Sequence, residues 1–203
     1  MINKKIVIIG YSGHSYGCIE VAIKQGFSIV GYHDVLEKVI NPYHLKYLGH
    51  EDNIDLNNKA FIATGDNSIR RKIYEKLRSN NIFLNTILIH SNTTISKSSL
   101  IEEQTFISAG VIISPQVKIG VGCIINTGAI IEHDCSIGKF SHIAPGAVLA
   151  GNVSIGSGCM IGANAVIKQG VKIGDNVIVG AGAVVLKDVN SNTIFVGNPA
   201  KQI

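Results

Sequence analysis

The sequence has no long apolar run, although aliphatic residues are abundant. Hydrophobic residues make up 46% and charged residues 16% of the 203 positions, a balance typical of a globular protein. No apolar stretch approaches the ~18 residues that a membrane-spanning helix needs. The N-terminal residues show no signal-peptide pattern. The sequence therefore predicts a cytoplasmic protein without a membrane span.

Strong charge of either sign is also missing. The formal net charge is +4, and the basic residues form no cluster, so a nucleic-acid-binding surface is not expected. A mildly positive net charge is also compatible with the binding of phosphorylated small molecules.

Cysteine is scarce, and its spacing lacks the close pairs of a zinc site. Three of the four cysteines, Cys123, Cys135 and Cys159, occupy a repeat position at which small residues otherwise stand. We interpret them as small buried hydrophobic residues rather than a disulfide framework. The sequence predicts no metal site.

What the sequence does contain is a six-residue repeat that runs through its C-terminal half without insertion. Sixteen frames, from Ile95 to the frame that opens at Val185, begin with an aliphatic residue and carry a small residue at the fifth position. Because strand side chains alternate between faces, three frames predict one 18-residue coil, and stacked coils form a continuous core. The repeat predicts a parallel β-helix of about five coils.

The N-terminal half has a different pattern, in which aliphatic runs alternate with helical periodicity. Strands are predicted over residues 5–10, 27–32 and 59–63, helices over 17–25 and 69–79, a turn over 11–16, and a closing strand over 83–89. Residues 35–58 predict a loop with short elements. Alternating strands and helices predict a small parallel sheet that is covered on both faces. We expect this α/β domain to span residues 1–88 and the β-helix domain to span residues 89–203.

Motifs from both halves resemble one family. They are GYSGH at 10–14, ATGDN at 63–67 with Arg70, INTG at 125–128, EHDC at 132–135, Ser141-His142, and VGNPAK at 196–201. Together they are similar to bacterial sugar acetyltransferases in which a Rossmann-like, nucleotide-binding α/β domain precedes a left-handed β-helix of hexapeptide repeats. These include the bacillosamine-pathway and GDP-perosamine N-acetyltransferases and the sialic acid O-acetyltransferases. The left hand of the coil and a homotrimer are implied by this resemblance.

The resemblance assigns His133 as general base and Asp134 as its supporting carboxylate. An imidazole suits this task because its ordinary pKa lies near 6.5 and an amine that attacks a thioester must lose a proton. Glu132 is an alternative partner for the imidazole. The other interpretation is that His133 is a polar corner residue of the solenoid with no catalytic role.

The coil length adds a prediction that does not depend on the resemblance. Residues 18 apart stack, so Gly151 lies one coil from His133 and leaves an open notch for a thioester carbonyl or a pantetheine arm. His142 is half a coil from His133, so the packed core separates the two. If both serve one site, that site lies at a subunit interface. His142 then contacts the acetyl donor, and the alternative is that it only packs the trimer. The acetyl-CoA contacts implied by the resemblance are His142, Gly151, Ala163, Ala181 and Lys201.

The acetyl acceptor is predicted to bind at the ends of the N-terminal strands. The Ser12–His14 turn precedes a helix, where backbone N–H groups and the helix dipole favour phosphate. Taken alone, the turn does not have the glycine spacing of a dinucleotide-binding motif. It is equally compatible with a glycine turn that only allows the helix to pack against the sheet. The resemblance places a nucleotide-linked sugar here, with contacts at Ser12, Gly13, His14, Asp34, Gly65 and Asn126. Some relatives carry an acidic pair where this chain has His33 and Asp34, so the resemblance does not identify which nucleotide carries the sugar.

These features predict an acetyl-CoA-dependent N-acetyltransferase that acts on the 4-amino group of a nucleotide-linked amino-dideoxy sugar. We expect the sugar amine to attack the thioester directly, without an acyl-enzyme intermediate. Cys135 is predicted to point inward, and no cysteine is placed to carry an acyl group. O-acetylation of sialic acid or of another sugar hydroxyl is the alternative reaction. A non-enzymatic β-solenoid scaffold is the alternative of a different class.

Overall fold

The computed structural model describes residues 4–50, 54, 59–82 and 84–203. Its N-terminal elements are β1 (Lys4–Ile9), α1 (Gly13–Lys24), β2 (Phe27–His33), β3 (Lys59–Ile62) and α2 (Asn67–Ser79). Short strands follow: β4 (Leu88–Ile89), β5 (Thr94–Ile95), β6 (Leu100–Ile101), β7 (Phe106–Ile107), β8 (Ile112–Ile113), β9 (Lys118–Ile119), β10 (Ile124–Ile125), β11 (Ile130–Ile131), β12 (Ser136–Ile137), β13 (His142–Ile143), β14 (Val148–Leu149), β15 (Ser154–Ile155), β16 (Met160–Ile161), β17 (Val166–Ile167), β18 (Lys172–Ile173), β19 (Ile178–Val179), β20 (Val184–Val185), β21 (Ile194–Val196) and β22 (Lys201–Gln202). Neither helix in the described ranges is long and apolar enough to cross a membrane.

The N-terminal unit is a three-stranded parallel sheet in the order β2-β1-β3. Ile6 and Ile8 of β1 pack in one hydrophobic cluster with α1, whereas Val7 and Ile9 pack in another with Leu77 of α2. This arrangement confirms the prediction of a small parallel sheet covered on both faces. Of the predicted loop over 35–58, residues 51–53 and 55–58 lie outside the described residues.

Helix α1 begins earlier than predicted, and the predicted turn over 11–16 is wrong beyond Ser12. Residues Gly13–Tyr16 form the first helical turn. The backbone N–H of Ser12 donates to Ser15 Oγ at 2.8 Å, and that hydroxyl donates to Ser12 O at 2.6 Å. These bonds satisfy backbone groups at the helix start, so His14 is held on the first turn.

The C-terminal half is a parallel β-helix of about six turns, one more than predicted. From β4 to β20, strands pair with strands 18 residues away, for example Ile124 with His142, which confirms the predicted coil length. The last pair, β19 with β21, is spaced by 16 residues. The closing strand predicted over 83–89 is wrong. Leu88 and Ile89 pair with Phe106 and Ile107 and start the solenoid instead, because an aliphatic run has the same appearance in either sheet. Phe83 lies outside the described residues.

The second residue of each two-residue strand from β4 to β20 points into a shared core, together with the small fifth-position residues. The three solenoid cysteines are at most 1% exposed, as predicted. Cys123 Sγ donates to Gly138 O at 3.1 Å, and Cys135 Sγ donates to Ala150 O at 3.1 Å. Burial raises the pKa of Cys123 to about 12, and it raises the pKa of Cys135 as well. These thiols are structural.

The first residue of each strand points outward, and the three faces of the solenoid differ in character. The covered face, formed by β4, β7, β10, β13, β16, β19 and β21, packs Leu88, Phe106 and Ile124 against the N-terminal unit. The polar face carries Leu100, Lys118, Ser136, Ser154 and Lys172 outward. The apolar face carries Thr94, Ile112, Ile130, Val148, Val166 and Val184, of which Ile112 is 40% exposed.

Gln104 joins the two halves at the free edge of β3. This residue is 1% exposed. Its Oε1 accepts from the N–H of Ile62 at 2.9 Å, and its Nε2 donates to Ala60 O and Leu84 O, both at 2.9 Å. One solenoid side chain therefore bonds to the sheet edge as a fourth strand would.

Candidate active site

His133 and Asp134 lie at the corner between β11 and β12, where the apolar face meets the polar face. His133 Nδ1 is 2.8 Å from Asp134 Oδ2. Coil-to-coil bonds fix this backbone, since Asp134 N donates to Pro115 O and Asn152 N donates to His133 O. Because a carboxylate only accepts hydrogen bonds, Nδ1 carries the proton, and the lone pair of the neutral ring lies on Nε2.

Asp134 thus reaches the imidazole directly. The backbone of Asp134 has a φ of +61°, a left-handed conformation that Asp and Asn tolerate better than most residues. Glu132, the alternative partner, accepts from Ser114 Oγ at 3.1 Å.

Gly151 stacks on His133 from the next coil. An added Cβ at Gly151 would lie 2.7 Å from both Nε2 and Cε1 of the imidazole, closer than real Cβ contacts allow. The imidazole therefore packs directly on the Gly151 backbone, in space that a side chain would otherwise fill.

A cavity of about 290 Å³ lies between the start of α1 and the covered face, and we name it the histidine pocket. Its lining residues are Gly13, His14, Gly17, Gly65, Phe106, Ser108, Asn126, Thr127 and His142. Four of the six residues predicted for the nucleotide-sugar meet here: Gly13, His14, Gly65 and Asn126. His142, predicted to contact the acetyl donor, shares this pocket within the same chain. Phe106, Ser108 and Thr127 were missed, although an outward aromatic residue among aliphatic frames marks Phe106 as a docking point.

His142 is a neutral histidine whose Nε2 lone pair is occupied. Asn126 Oδ1 accepts from the N–H of Thr127 at 2.8 Å, which orients the amide so that its Nδ2 donates to His142 Nε2 at 3.1 Å. The proton of His142 must then lie on Nδ1, which is buried and has no hydrogen-bond partner among the described residues. Burial, and then the charge of Arg70, lower the pKa of His142 to about 4.

His14 faces the same pocket from the first turn of α1. Its ring meets the Phe106 ring edge-on at a centroid distance of 5.2 Å, and its Nε2 is 3.5 Å from Cys18 Sγ. Burial, followed by the charges of Arg70 and His142, lowers the pKa of His14 to about 4. Both histidines of the pocket are therefore neutral near pH 7.

Asp34 and Ser12 do not line the histidine pocket. Asp34 Oδ2 accepts from the N–H of Tyr11 at 2.8 Å, its Oδ1 accepts from the N–H of Val35 at 2.8 Å, and Lys38 Nζ lies 2.9 Å from Oδ1. This carboxylate ties the end of β2 to the end of β1. Ser12 has an exposed side chain directly before Gly13.

The residues predicted to bind acetyl-CoA lie on different parts of the solenoid. Gly151 is at the corner between the apolar and polar faces, beside His133. Ala163 and Ala181 are at the corner between the covered and apolar faces, in the column of Thr127. Lys201 is exposed on β22, which pairs antiparallel with β21. One chain therefore does not bring these residues together, because the apolar face separates the two corners.

A larger cavity, of about 640 Å³, lies between α2 and the covered face. It is lined by Gly65, Asp66, Asn67, Ser68, Arg71, Lys72, Glu75, Gly158, Met160, Asn176 and Ile178. Gly65 borders both cavities. Across the described ranges, no three His, Cys, Asp or Glu side chains come together as metal ligands.

Comparisons with known proteins match both halves. The family described as the PglD N-terminal domain matches residues 5–77, and the bacterial transferase hexapeptide family (six repeats) matches residues 152–187. The acetyltransferase domain of PglB from Neisseria gonorrhoeae FA1090, also solved with acetyl coenzyme A, is 30% identical with a TM-score of 0.90. That alignment covers 99% of this chain and 100% of the other.

Two further solved structures are similar over nearly their whole length. PerB from Caulobacter crescentus, solved with CoA and GDP-perosamine, is 33% identical with a TM-score of 0.91, and 98% of this chain and 97% of that chain are covered. WeeI from Acinetobacter baumannii AYE is 27% identical with a TM-score of 0.89, and 98% of this chain and 99% of that chain are covered.

Proposed function

The chain belongs to the hexapeptide-repeat sugar acetyltransferases, and we propose that it transfers the acetyl group of acetyl-CoA to the amine of a nucleotide-linked amino sugar. The acceptor is the 4-amino group of an amino-dideoxy sugar. Similarity to PerB, which was solved with CoA and GDP-perosamine, supports this class of acceptor.

The observation that carries the proposal is the His133–Asp134 pair beside Gly151. Asp134 orients the imidazole and accepts its Nδ1 proton in a 2.8 Å hydrogen bond, which leaves the Nε2 lone pair available. The absence of a side chain at Gly151 leaves room for the imidazole to pack on the next coil in this orientation. An exposed histidine that is held by a carboxylate and keeps the lone pair of its second ring nitrogen has the geometry of a general base.

The proposed reaction is a direct transfer. The neutral sugar amine attacks the thioester carbonyl, a C–N bond forms, and His133 Nε2 takes the proton from nitrogen. The C–S bond then breaks, and the proton passes to the thiolate, so that an N-acetylated sugar and free CoA leave the site. The buried thiols of the solenoid take no part, because burial raises the pKa of Cys123 and Cys135 and keeps them protonated.

His142 is unsuited to the role of base. Asn126 donates to its Nε2, its remaining nitrogen carries the proton, and its pKa of about 4 shows how strongly burial disfavours a second proton. His142 is therefore a hydrogen-bond donor in the acceptor-binding pocket, whereas His133 is the base.

We further propose that the protein is a homotrimer and that the apolar face is its subunit interface. Outward aliphatic residues form a row on this face, with Ile112 at 40% and Val166 at 37% exposure. Exposed apolar rows of this kind mark protein–protein interfaces, because a partner that buries them stabilises the assembly. Three copies with their apolar faces inward set the His133 corner of one copy beside the Ala163 corner of the next. The histidine pocket adjoins that second corner through Asn126 and Thr127, so donor and acceptor meet between two copies.

The test is a thiol-release assay with acetyl-CoA and UDP-, dTDP- and GDP-linked 4-amino-4,6-dideoxy sugars. Free and CMP-linked sialic acid serve as controls. We expect CoA release with at least one nucleotide amino sugar and loss of release in His133→Ala. Turnover of a sialic acid, with none of any nucleotide amino sugar, would overturn the proposal.

A further inference from the structure

Arg70 of α2 is a buried arginine whose hydrogen bonds are all satisfied. The residue is 1% exposed. Its Nη1 donates to Thr64 O and to Gly65 O, both at 3.0 Å, and its Nη2 donates to Asn67 Oδ1 at 2.7 Å. These three bonds hold the turn that follows β3.

The other two bonds of the guanidinium reach the solenoid. Nε donates to Gly122 O at 2.7 Å, and Nη2 donates to Phe140 O at 3.3 Å. A guanidinium has five N–H donors in a fixed plane, and each of the five has an acceptor here. None of these acceptors is a carboxylate.

The solenoid acceptors form one vertical column. Gly122, Phe140 and Gly158 are 18 residues apart, at the corner where the polar face meets the covered face. Asn67 extends the contact to the next coil towards the C-terminus, since its Nδ2 donates to Gly158 O at 3.3 Å and to Cys159 O at 2.9 Å. Arg70 and Asn67 therefore bind the carbonyls of three successive coils.

We propose that Arg70 is a positioning residue for the acetyl acceptor. Its guanidinium fixes the position of the Thr64–Gly65 turn along the solenoid axis, and with it the position of one wall of the histidine pocket. The inference rests on the proposed function, because it takes the histidine pocket as the place where the acceptor binds. Gly65 forms that wall, since an added Cβ there would lie 3.6 Å from His14 Cβ.

The charge of Arg70 acts on the same pocket. It is the second cause, after burial, of the low pKa of His14 and of His142. The other titratable groups that interact with Arg70 are Cys18, Asp66 and Cys123. Lysine in this place keeps the positive charge but has only three donors and no planar fork, so the charge and the positioning can be separated.

The experiment compares Arg70→Lys and Arg70→Met with Arg78→Lys and Arg78→Met. Arg78 lies near the end of the same helix, and its side chain is 58% exposed. For the nucleotide amino sugar that gives turnover, we expect both Arg70 variants to raise its KM at least about tenfold, as the loss of several buried hydrogen bonds implies. The KM for acetyl-CoA should stay within about twofold, because Arg70 makes no hydrogen bond to any residue predicted to contact acetyl-CoA.

Histidine NMR titrations report on the pocket without turnover, because the charge of Arg70 acts on His14 and His142, and Arg70→Lys separates that charge from the packing. Arg70→Met should raise the titration midpoints of His14 and His142, whereas Arg70→Lys should leave them closer to the wild-type values. An unchanged acceptor KM in a folded Arg70→Met protein overturns the inference, and so does an equal rise in both KM values. If the wild-type protein acetylates no nucleotide sugar, the proposed function fails by itself. An unchanged His142 midpoint in folded Arg70→Met then overturns this inference separately.

Discussion

The imidazole of His133 and the backbone of Gly151 stack one coil apart, so closely that any side chain at Gly151 would lie 2.7 Å from Nε2. The φ of Gly151 is outside the left-handed region, so alanine fits the backbone there. We predict that Gly151→Ala displaces the exposed imidazole and lowers kcat/KM about a hundredfold, the usual effect of a misplacement near 1 Å. Thermal unfolding should change little, and steady-state kinetics measures the loss.

Gln169→Ala is the matched control for this variant. Gln169 is exposed and stands one coil beyond Gly151 in the same column. Its substitution should leave kcat/KM near the wild-type value. Full activity in Gly151→Ala would show that the packing of His133 on Gly151 has no part in the reaction.

Asp134→Asn tests the carboxylate that orients His133. Asparagine tolerates the φ of +61° at this position, so the backbone is retained, but its amide can donate to the imidazole and favour the wrong tautomer. We predict a fall in kcat of about tenfold to a hundredfold, with the KM for acetyl-CoA nearly unchanged. Gln116→Asn, one coil below at a φ of +62°, should retain full turnover. Equal kcat values for the two variants would contradict the role of Asp134.

The pocket histidines predict a stability loss in mild acid. The folded-state pKa of both His14 and His142 is about 4, below the ordinary value near 6.5. Between these values the unfolded chain binds more protons, so stability is present above about pH 6.5 and is lost as the pH falls towards about 4. Each histidine contributes about 1–3 kcal/mol to that loss.

Urea unfolding across this window checks the prediction, with His142→Gln as the comparison. The variant should show a shallower decline between about pH 6.5 and 4 than the wild type. Parallel curves would mean that His142 does not remain neutral in the folded protein. The carboxylate of Asp66, whose pKa is lowered chiefly by the N–H of Ile69, acts mainly below this window.

The apolar face predicts a specific assembly defect. Ile130→Lys would place an ammonium in the centre of the proposed interface, where an unpaired buried charge costs several kcal/mol. We expect a folded monomer in sedimentation and a loss of transfer of at least about tenfold. Ser136→Lys, on the polar face, should keep both the wild-type sedimentation and the wild-type activity. A fully active monomer would rule out a shared site.

The sequence predicts the solenoid well because its period is a direct consequence of stacking. An outward residue, an inward aliphatic residue and a small corner residue recur in every frame, so the inward position of Cys135 and the contact between His133 and Gly151 follow from register alone. The same register separates His142 from His133 within one chain.

The docking of the two halves could not be predicted in this way. Arg70 and Gln104 are polar residues that periodicity assigns to a surface, yet both are 1% exposed because they bond to backbone groups distant in the chain. The strand at Leu88 was assigned to the wrong sheet for a related reason, since an aliphatic run does not indicate its partner. The meeting of His14 with His142 depends on this docking.

The most direct test of the shared site is complementation between two inactive variants. His133→Ala lacks the proposed base, and the double variant His14→Ala/Asn126→Ala lacks the acceptor pocket. The two chains are co-expressed with different tags, and mixed oligomers are purified through both tags. If the protein is the proposed trimer and each site takes His133 from one copy and the pocket from the next, one site in three is intact, and about a third of the wild-type transfer should return. Transfer no higher than that of either parent would contradict a site shared between copies.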